Sequence, residues 1–340
     1  MRLRRQIALW SWTALAFSLG ASGLGAARAQ APQSAAPQSA QPAPKNPIRV
    51  VTNEVVADVT VTDPSGEFVL DLLPQDFHVF DDGVEQRIDR WDIGGDPLAA
   101  VLVLQTSDRA QSMMLAIHSL GSIFTETVMA LDGEAAVITY DSTVDVRQPF
   151  TMDHDAVENA ITSTEFDDSG MHLYDAMAKA VDMLKNEPAK RRRVMLVVGE
   201  SRDDGSKANF GAVVRDAEHA NITIYAIGPS SMTRDLLQDA PALWAAPAIF
   251  LLQQGRNRSK KHDLEVAAAA TGGAHYSAVR AETLREALDD IGGELHAQYI
   301  LSYHANSERA PGFHSINVTV ARSDVSVRTR PGYYVAQPAQ

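Results

Sequence analysis

Residues 101–109 read Val-Leu-Val-Leu-Gln-Thr-Ser-Asp-Arg. A continuous apolar run of this kind is a strand buried on both faces, and it stops abruptly in small polar groups. In an open α/β sheet, ligands bind in the crevice outside the carboxyl ends of such strands. Gln105, Ser107 and Asp108 place polar groups at that edge, and Arg109 adds a cation that seeks carboxylates. The chemistry on offer is binding. The usual catalytic patterns do not occur: there is no His-Glu-x-x-His, no Gly-x-Ser-x-Gly, no phosphate loop and no Cys. Gly199-Glu200-Ser201-Arg202-Asp203 lacks the second Gly of a nucleophile elbow, so Ser201 reads as a loop residue. The ten His lack ligand spacing, and His172, His275 and His304 are expected at the ends of elements. Met113, Met114, Met177 and Met183 read as core filling. The chain is therefore expected not to be an enzyme.

The elements around this edge alternate. Apolar strands are expected at 99–104, 134–140, 192–199 and 221–227, with a weaker one at 273–277, and helices lie between them. Leu173, Met177, Ala180 and Leu184 share one helical face, and so do Leu284, Leu288, Ile291 and Leu295. Asp153 is placed to cap a helix. Strand and helix in alternation imply a doubly wound, mostly parallel α/β sheet covered on both sides. The short step from 134–140 to 143–148 fits a hairpin, so one edge strand is expected to be antiparallel.

Both flanks of residues 97–297 are β-rich. In 48–94, Val55, Ala57, Val59 and Val61 alternate with polar neighbours. Asp63-Pro64-Ser65-Gly66 is a turn, Phe77 to Phe80 is a strand ending in Asp81-Asp82-Gly83, and Gln86 to Trp91 is the next strand. In 298–335, strands are expected at 299–303, 315–320 and 325–328, with Arg330-Pro331-Gly332-Tyr333-Tyr334 closing the fold. Neither small sheet is stable alone, so the two flanks are expected to pack as one β-sandwich. The stretch Pro241 to His262 fits neither period and reads as an insertion with an apolar tip at Trp244 to Leu252.

Arg2, Arg4 and Arg5, the apolar run Ile7 to Ala26 and the site Ala27-Arg28-Ala29 read as a signal peptide over 1–29. Export to a secreted or periplasmic location is the expectation. Residues 30–47 are Gln, Ala, Pro and Ser without an apolar period, a disordered spacer. The formal net charge is −13, and removal of 1–29 takes away four Arg and no acid. Nucleic-acid binding through a basic surface is excluded, and docking on anionic lipid is disfavoured. Without Cys there are no disulfides, so stability must come from core burial. No segment beyond the signal reaches the roughly 18 apolar residues of a membrane span.

The residues just quoted, in their order, carry a family resemblance. Val101 to Arg109 resembles the first strand and loop of a von Willebrand factor A domain, which ends in Asp-x-Ser-x-Ser and holds a divalent metal. Val59-Thr60-Val61-Thr62-Asp63 with Gly66, then Leu73, Asp76-Phe77 and Val79-Phe80-Asp81-Asp82-Gly83, resemble the opening of the A-related proteins widespread in Acidobacteria. Thr271-Gly272-Gly273 and Gly332-Tyr333-Tyr334 resemble that family's later landmarks, and the match covers most of 48–335. The resemblance implies that Gln105 stands at the metal-binding Asp, Ser107 is kept, and Arg109 stands at the second Ser. Met171 stands at the Thr of the second loop and Glu200 at the Asp of the third.

Met171 offers a soft thioether where Mg²⁺ wants hard oxygens. Arg109 brings a cation toward the ion's place, a repulsion on the order of 6 kcal/mol at ~5 Å and an effective dielectric of about 20. The expectation is a degenerate metal site: no cofactor, and a binding or adhesion module for a protein or cell-envelope partner. Its working face carries Gln105, Ser107, Asp108, Arg109, Met171 and Glu200, with Met171 as an adaptable apolar contact. The alternative is a Ca²⁺- or Mg²⁺-dependent adhesion module that uses Asp108, Asp167, Asp168, Glu200, Asp203 and Asp204. Otherwise these are solvated loop acids, with Arg109 paired to Glu200 or a neighbour.

Overall fold

In the computed structural model the described residues are 54–107, 117–118, 120–165, 170–188, 190–228, 262–278, 281–305 and 309–335. All belong to one compact unit, residues 51–340. The expected signal, the spacer, most of the insertion, Asp108, Arg109, Asp167 and Asp168 lie outside them.

At the centre is β5 (Leu98–Gln105), buried along its whole length. Its run of Ala, Val and Leu has no polar alternation because helices cover both of its faces. β6 (Glu134–Tyr140) pairs with it in parallel on one side and β8 (Arg192–Val198) on the other. β9 (Ile222–Gly228) and the short β10 (His275–Ser277) extend the sheet in parallel beyond β8. β7 (Val144–Thr151) is the antiparallel edge next to β6. The order is β10-β9-β8-β5-β6-β7. Chain direction reverses its sideways growth between β5 and β8, which is where such sheets place their binding crevice.

One face is packed by α1 (Leu120–Ile123), the wider π turn that follows it to Met129, α2 (His154–Thr162) and α6 (Ala281–Ala297). The other is packed by α3 (Leu173–Leu184), α4 (Phe210–His219) and α5 (Asp263–Thr271). Asp153 caps α2 by accepting from the Ala156 amide at 3.2 Å. Leu284, Leu288, Ile291 and Leu295 are all fully buried, as are Leu173, Met177, Ala180 and Leu184. His172, His275 and His304 sit at element ends, as read from the sequence.

The flanks interleave. β1 (Glu54–Thr62) pairs antiparallel with β11 (Tyr299–His304), and β11 with β4 (Arg90–Ile93), so a C-terminal strand lies between two N-terminal ones. With β13 (Ser326–Arg328) they form the sheet β13-β1-β11-β4. The second sheet is β14-β12-β2-β3, from β14 (Gly332–Val335), β12 (Gly312–Val320), β2 (Phe77–Asp81) and β3 (Val84–Gln86). Val55, Ala57, Val59 and Val61 meet Phe77, Val79, Tyr299, Tyr303 and Ile316 in one core between the sheets. The expected strand Gln86–Trp91 is instead two, β3 and β4 in different sheets. The chain crosses between layers at 87–89, where the Asp89 amide donates to Ser302 O at 2.8 Å. The fold is thus a doubly wound parallel α/β sheet with a β-sandwich made from both flanks. No helix among the described residues is long and apolar enough to cross a membrane.

Candidate functional site

Gln105 ends β5 and is 1% exposed. A side-chain amide buried this deeply must bond at both ends. Its nitrogen donates to Ser107 Oγ at 2.7 Å and to Met171 Sδ at 3.3 Å. Its oxygen accepts from the Glu200 amide at 2.6 Å. One side chain therefore ties together the loop after β5, the segment leading into α3 and the loop after β8. Gly199 makes this possible, since a Cβ there would strike both the Gln105 side chain and the Tyr140 hydroxyl.

Around this knot the loops brace one another. The Asp204 amide donates to Met171 O at 2.8 Å. Thr106 Oγ1 donates to Asp141 Oδ2 at 3.1 Å, and the Thr143 amide donates to Asp141 Oδ1 at 2.8 Å. Asp203 is 6% exposed and accepts from the Tyr174 amide at 3.2 Å, supplying at the start of α3 the cap that His172 does not give. Ser201 Oγ accepts from the Leu264 amide at 2.8 Å. The Tyr140 hydroxyl is buried without a hydrogen-bond partner. Burial, with the nearby Glu200 and Asp203 carboxylates adding to it, pushes this phenol well above its ordinary value.

The sequence reading brings Gln105, Ser107, Met171 and Glu200 to one place, and the structure gathers all four. It also changes what three of them can do. Gln105, Ser107 and Met171 are 1%, 0% and 2% exposed, so they lie beneath the face rather than on it. The sequence predicts Met171 as an adaptable contact; its sulfur instead accepts from Gln105 inside the protein. Among the described residues, the exposed or part-exposed groups here include Glu200, Arg202, Asp204, Asp141 and Thr143. Tyr140, Asp141 and Thr106 went unread in the sequence. The signal for them was Asp141 directly after an apolar strand, the same carboxyl-edge position as Gln105.

A divalent ion of the kind the resemblance implies needs several free hard oxygens. Here Gln105 turns an N–H donor toward Ser107 and Met171, Ser107 Oγ is taken as an acceptor, and Met171 offers sulfur. These residues do not fit Mg²⁺ or Ca²⁺. Among the described residues, the acids of this face do not come together as a three-ligand group. The group that does is Asp81, Asp82 and His314 in the sandwich. There the Arg309 guanidinium already pairs with Asp81, and Tyr303 and Tyr333 donate to the same carboxylate at 2.8 and 3.0 Å. That set is a satisfied structural network.

Residues 101–202 match the von Willebrand factor type A domain. The matched segment runs from β5 to the loop after β8 and holds all four gathered residues. Similar solved structures include an aerotolerance-related membrane protein from Bacteroides fragilis, at 12% identity over 58% of this chain and 99% of that one, with a TM-score of 0.42. BatB from Bacteroides thetaiotaomicron is 13% identical over 58% and 98%, with a TM-score of 0.38. A von Willebrand factor type A protein from Catenulispora acidiphila is 8% identical over 77% and 74%, with a TM-score of 0.45. No curated protein matches the chain.

Proposed function

We propose that the chain is an exported, non-enzymatic protein-binding module of the A-related type widespread in Acidobacteria, with a degenerate metal site. In this reading it engages a protein or cell-envelope partner through the loops after β5, β6 and β8, without a cation. The observation that carries this is the double bonding of Gln105. A bound ion would hold these loops by drawing oxygens from each; the Gln105 amide joins the same loops with two N–H donors and one acceptor, all internal to the chain. The face is then set without an added group. Glu200, Asp204, Asp141 and Arg202 give it a mostly acidic rim, which suits a partner presenting basic side chains.

The test has two arms. Thermal melts in millimolar Mg²⁺ or Ca²⁺ and in chelator coincide, because a ligand at a hundredfold excess over its Kd would add about 2.7 kcal/mol of stability. With a partner recovered from an envelope fraction, affinity is unchanged by chelator and falls on charge reversal of Glu200 and Asp204. A melting shift of several degrees that Glu200→Ala abolishes, or binding lost in chelator, would establish the cation-dependent alternative.

A further inference from the structure

The opposite end of the parallel sheet holds a second polar site, independent of the loop face. There α4 ends and β8 and β9 begin, against the sandwich. A cavity of 130 Å³ is lined in part by Glu218, Asn221, Ile222, Arg330, Val56 and Ile300. A neighbouring one of 210 Å³ shares Glu218, Asn221 and Arg330. Both are well below the roughly 300 Å³ at which drug-sized ligands are held, so an occupant would be small.

Several buried charges between these layers have a partner, although Arg192 Nε and Arg193 Nε have no acceptor. Glu294 pairs with Arg328, Arg192 with Gln298 and Asp58, and Arg309 with Asp81. Glu218 differs from these, and Arg330 is bonded only in part. Glu218 is 5% exposed, and neither of its carboxylate oxygens has a hydrogen-bond partner. Arg330 gives one terminal nitrogen to Asn221 Oδ1, while its buried Nε has no acceptor. Glu218 and Arg330 thus line one cavity, each incompletely bonded, among Asp58, Arg90, Asp96, Arg191, Arg192 and Arg193, and a buried polar group left unbonded is costly. Glu218 also lies in the last turn of α4, the negative end of that helix's dipole.

We propose that this cavity binds a small aliphatic α-amino acid as its zwitterion, with the carboxylate on Arg330 and the ammonium on Glu218. The apolar wall of Val56, Ile222 and Ile300 takes the side chain. A simple anion on Arg330 leaves the Glu218 oxygens without a hydrogen-bond partner, and a simple amine on Glu218 leaves Arg330 Nε without one. Only a ligand carrying both charges satisfies both groups. Burial pushes the Glu218 carboxyl up to about 8, against the pull of Arg330 and Arg215. Glu218 therefore holds its proton at neutral pH in the unliganded protein, and an arriving ammonium expels it.

The experiment is calorimetry and thermal melting of the full chain with alanine and valine, beside acetate, inorganic phosphate and methylammonium as single-charge probes. The amino acids are expected to bind and raise Tm, with the single-charge probes on the order of tenfold weaker or more. The heat near pH 7 should vary with the buffer's ionisation enthalpy, reporting the released proton. Glu218→Gln keeps the shape and removes the charge; it should weaken alanine binding on the order of tenfold and abolish proton release, with no loss of Tm in the unliganded protein. Arg330→Lys, which keeps charge and loses the planar fork, should weaken it as well. Absence of heat and shift at ~10 mM alanine or valine, a range at which a millimolar site is filled, overturns the proposal. So does phosphate or acetate binding as tightly as alanine, or unchanged affinity in Glu218→Gln.

Discussion

Glu294 and Arg328 form a buried ion pair that fastens α6 to β13, and so the parallel domain to the sandwich. Glu294 is 2% exposed, and the same carboxylate accepts from Thr60 Oγ1 at 3.2 Å, Tyr225 OH at 2.5 Å and Gln298 Nε2 at 3.2 Å. Removing one partner of such a pair strands the other, at a cost of about 3–5 kcal/mol. Glu294→Ala should lower unfolding free energy by that amount in urea denaturation. Glu294→Gln should cost less, because its amide oxygen still accepts from Tyr225. Equal losses for the two variants would mean that the charge accounts for the whole contribution and the retained hydrogen bond for none.

Gln105 is the corresponding knot at the loop face. Gln105→Ala deprives the Glu200 amide of its acceptor and opens a small buried void, a loss of about 2–4 kcal/mol. Hydrogen exchange is the sharper readout: the Glu200 amide should lose protection while amides in the middle of β8 keep theirs. If Glu200 stays equally protected, the three loops are held by something other than this side chain.

Glu218 predicts a pH dependence. Its native carboxyl is raised to about 8 from an ordinary 4.5, by burial first. Below about 4.5 both native and unfolded states hold the proton, and the contribution to stability is fully present. As pH rises the unfolded chain ionises first, so stability is lost progressively until the native group ionises near 8. Each tenfold difference in proton affinity between the two states is worth about 1.4 kcal/mol, so the total is several kcal/mol. Glu218→Gln should therefore melt increasingly above the parent between about pH 5 and pH 8. Parallel melting curves across that range would contradict the buried, unpaired state of this group.

Deleting 298–340 takes β11 out from between β1 and β4, and β12 away from β2. Residues 54–93 should then be digested rapidly in limited proteolysis. A fragment retaining 54–93 intact would show that the N-terminal strands fold without their C-terminal partners.

The alternation of Val55, Ala57, Val59 and Val61 and the unbroken run Val101 to Leu104 were legible because burial on one face or on two writes different periods into a strand. The break at 87–89 was not, since an alternating pattern does not reveal when a chain changes sheets. At the loop face the family resemblance gave the positions of Met171 and Glu200, which lie 66 and 95 residues from Gln105. That Gln105 would turn its amide inward depends on packing against Gly199 and Tyr140, which no local pattern encodes. Asp203 read as a loop acid, yet it is buried as the cap of a helix 29 residues before it in the chain. Glu218, near a helix end, carried no mark of burial because the layer covering it comes from β14 and the Arg330 turn, more than a hundred residues away.

The adjacency of β4 and β11 has a further consequence. Ile93 faces Tyr299 across the ladder, and the Gly94 amide donates to Gln298 O at 2.9 Å, so the chain leaves the sandwich and re-enters it at neighbouring points. To the sandwich, everything from β5 to α6 is an elaborate hairpin loop. A two-residue turn between Ile93 and Tyr299 would close the same ladder. The parallel domain is in that sense a cassette, exchangeable for another domain whose ends lie equally close.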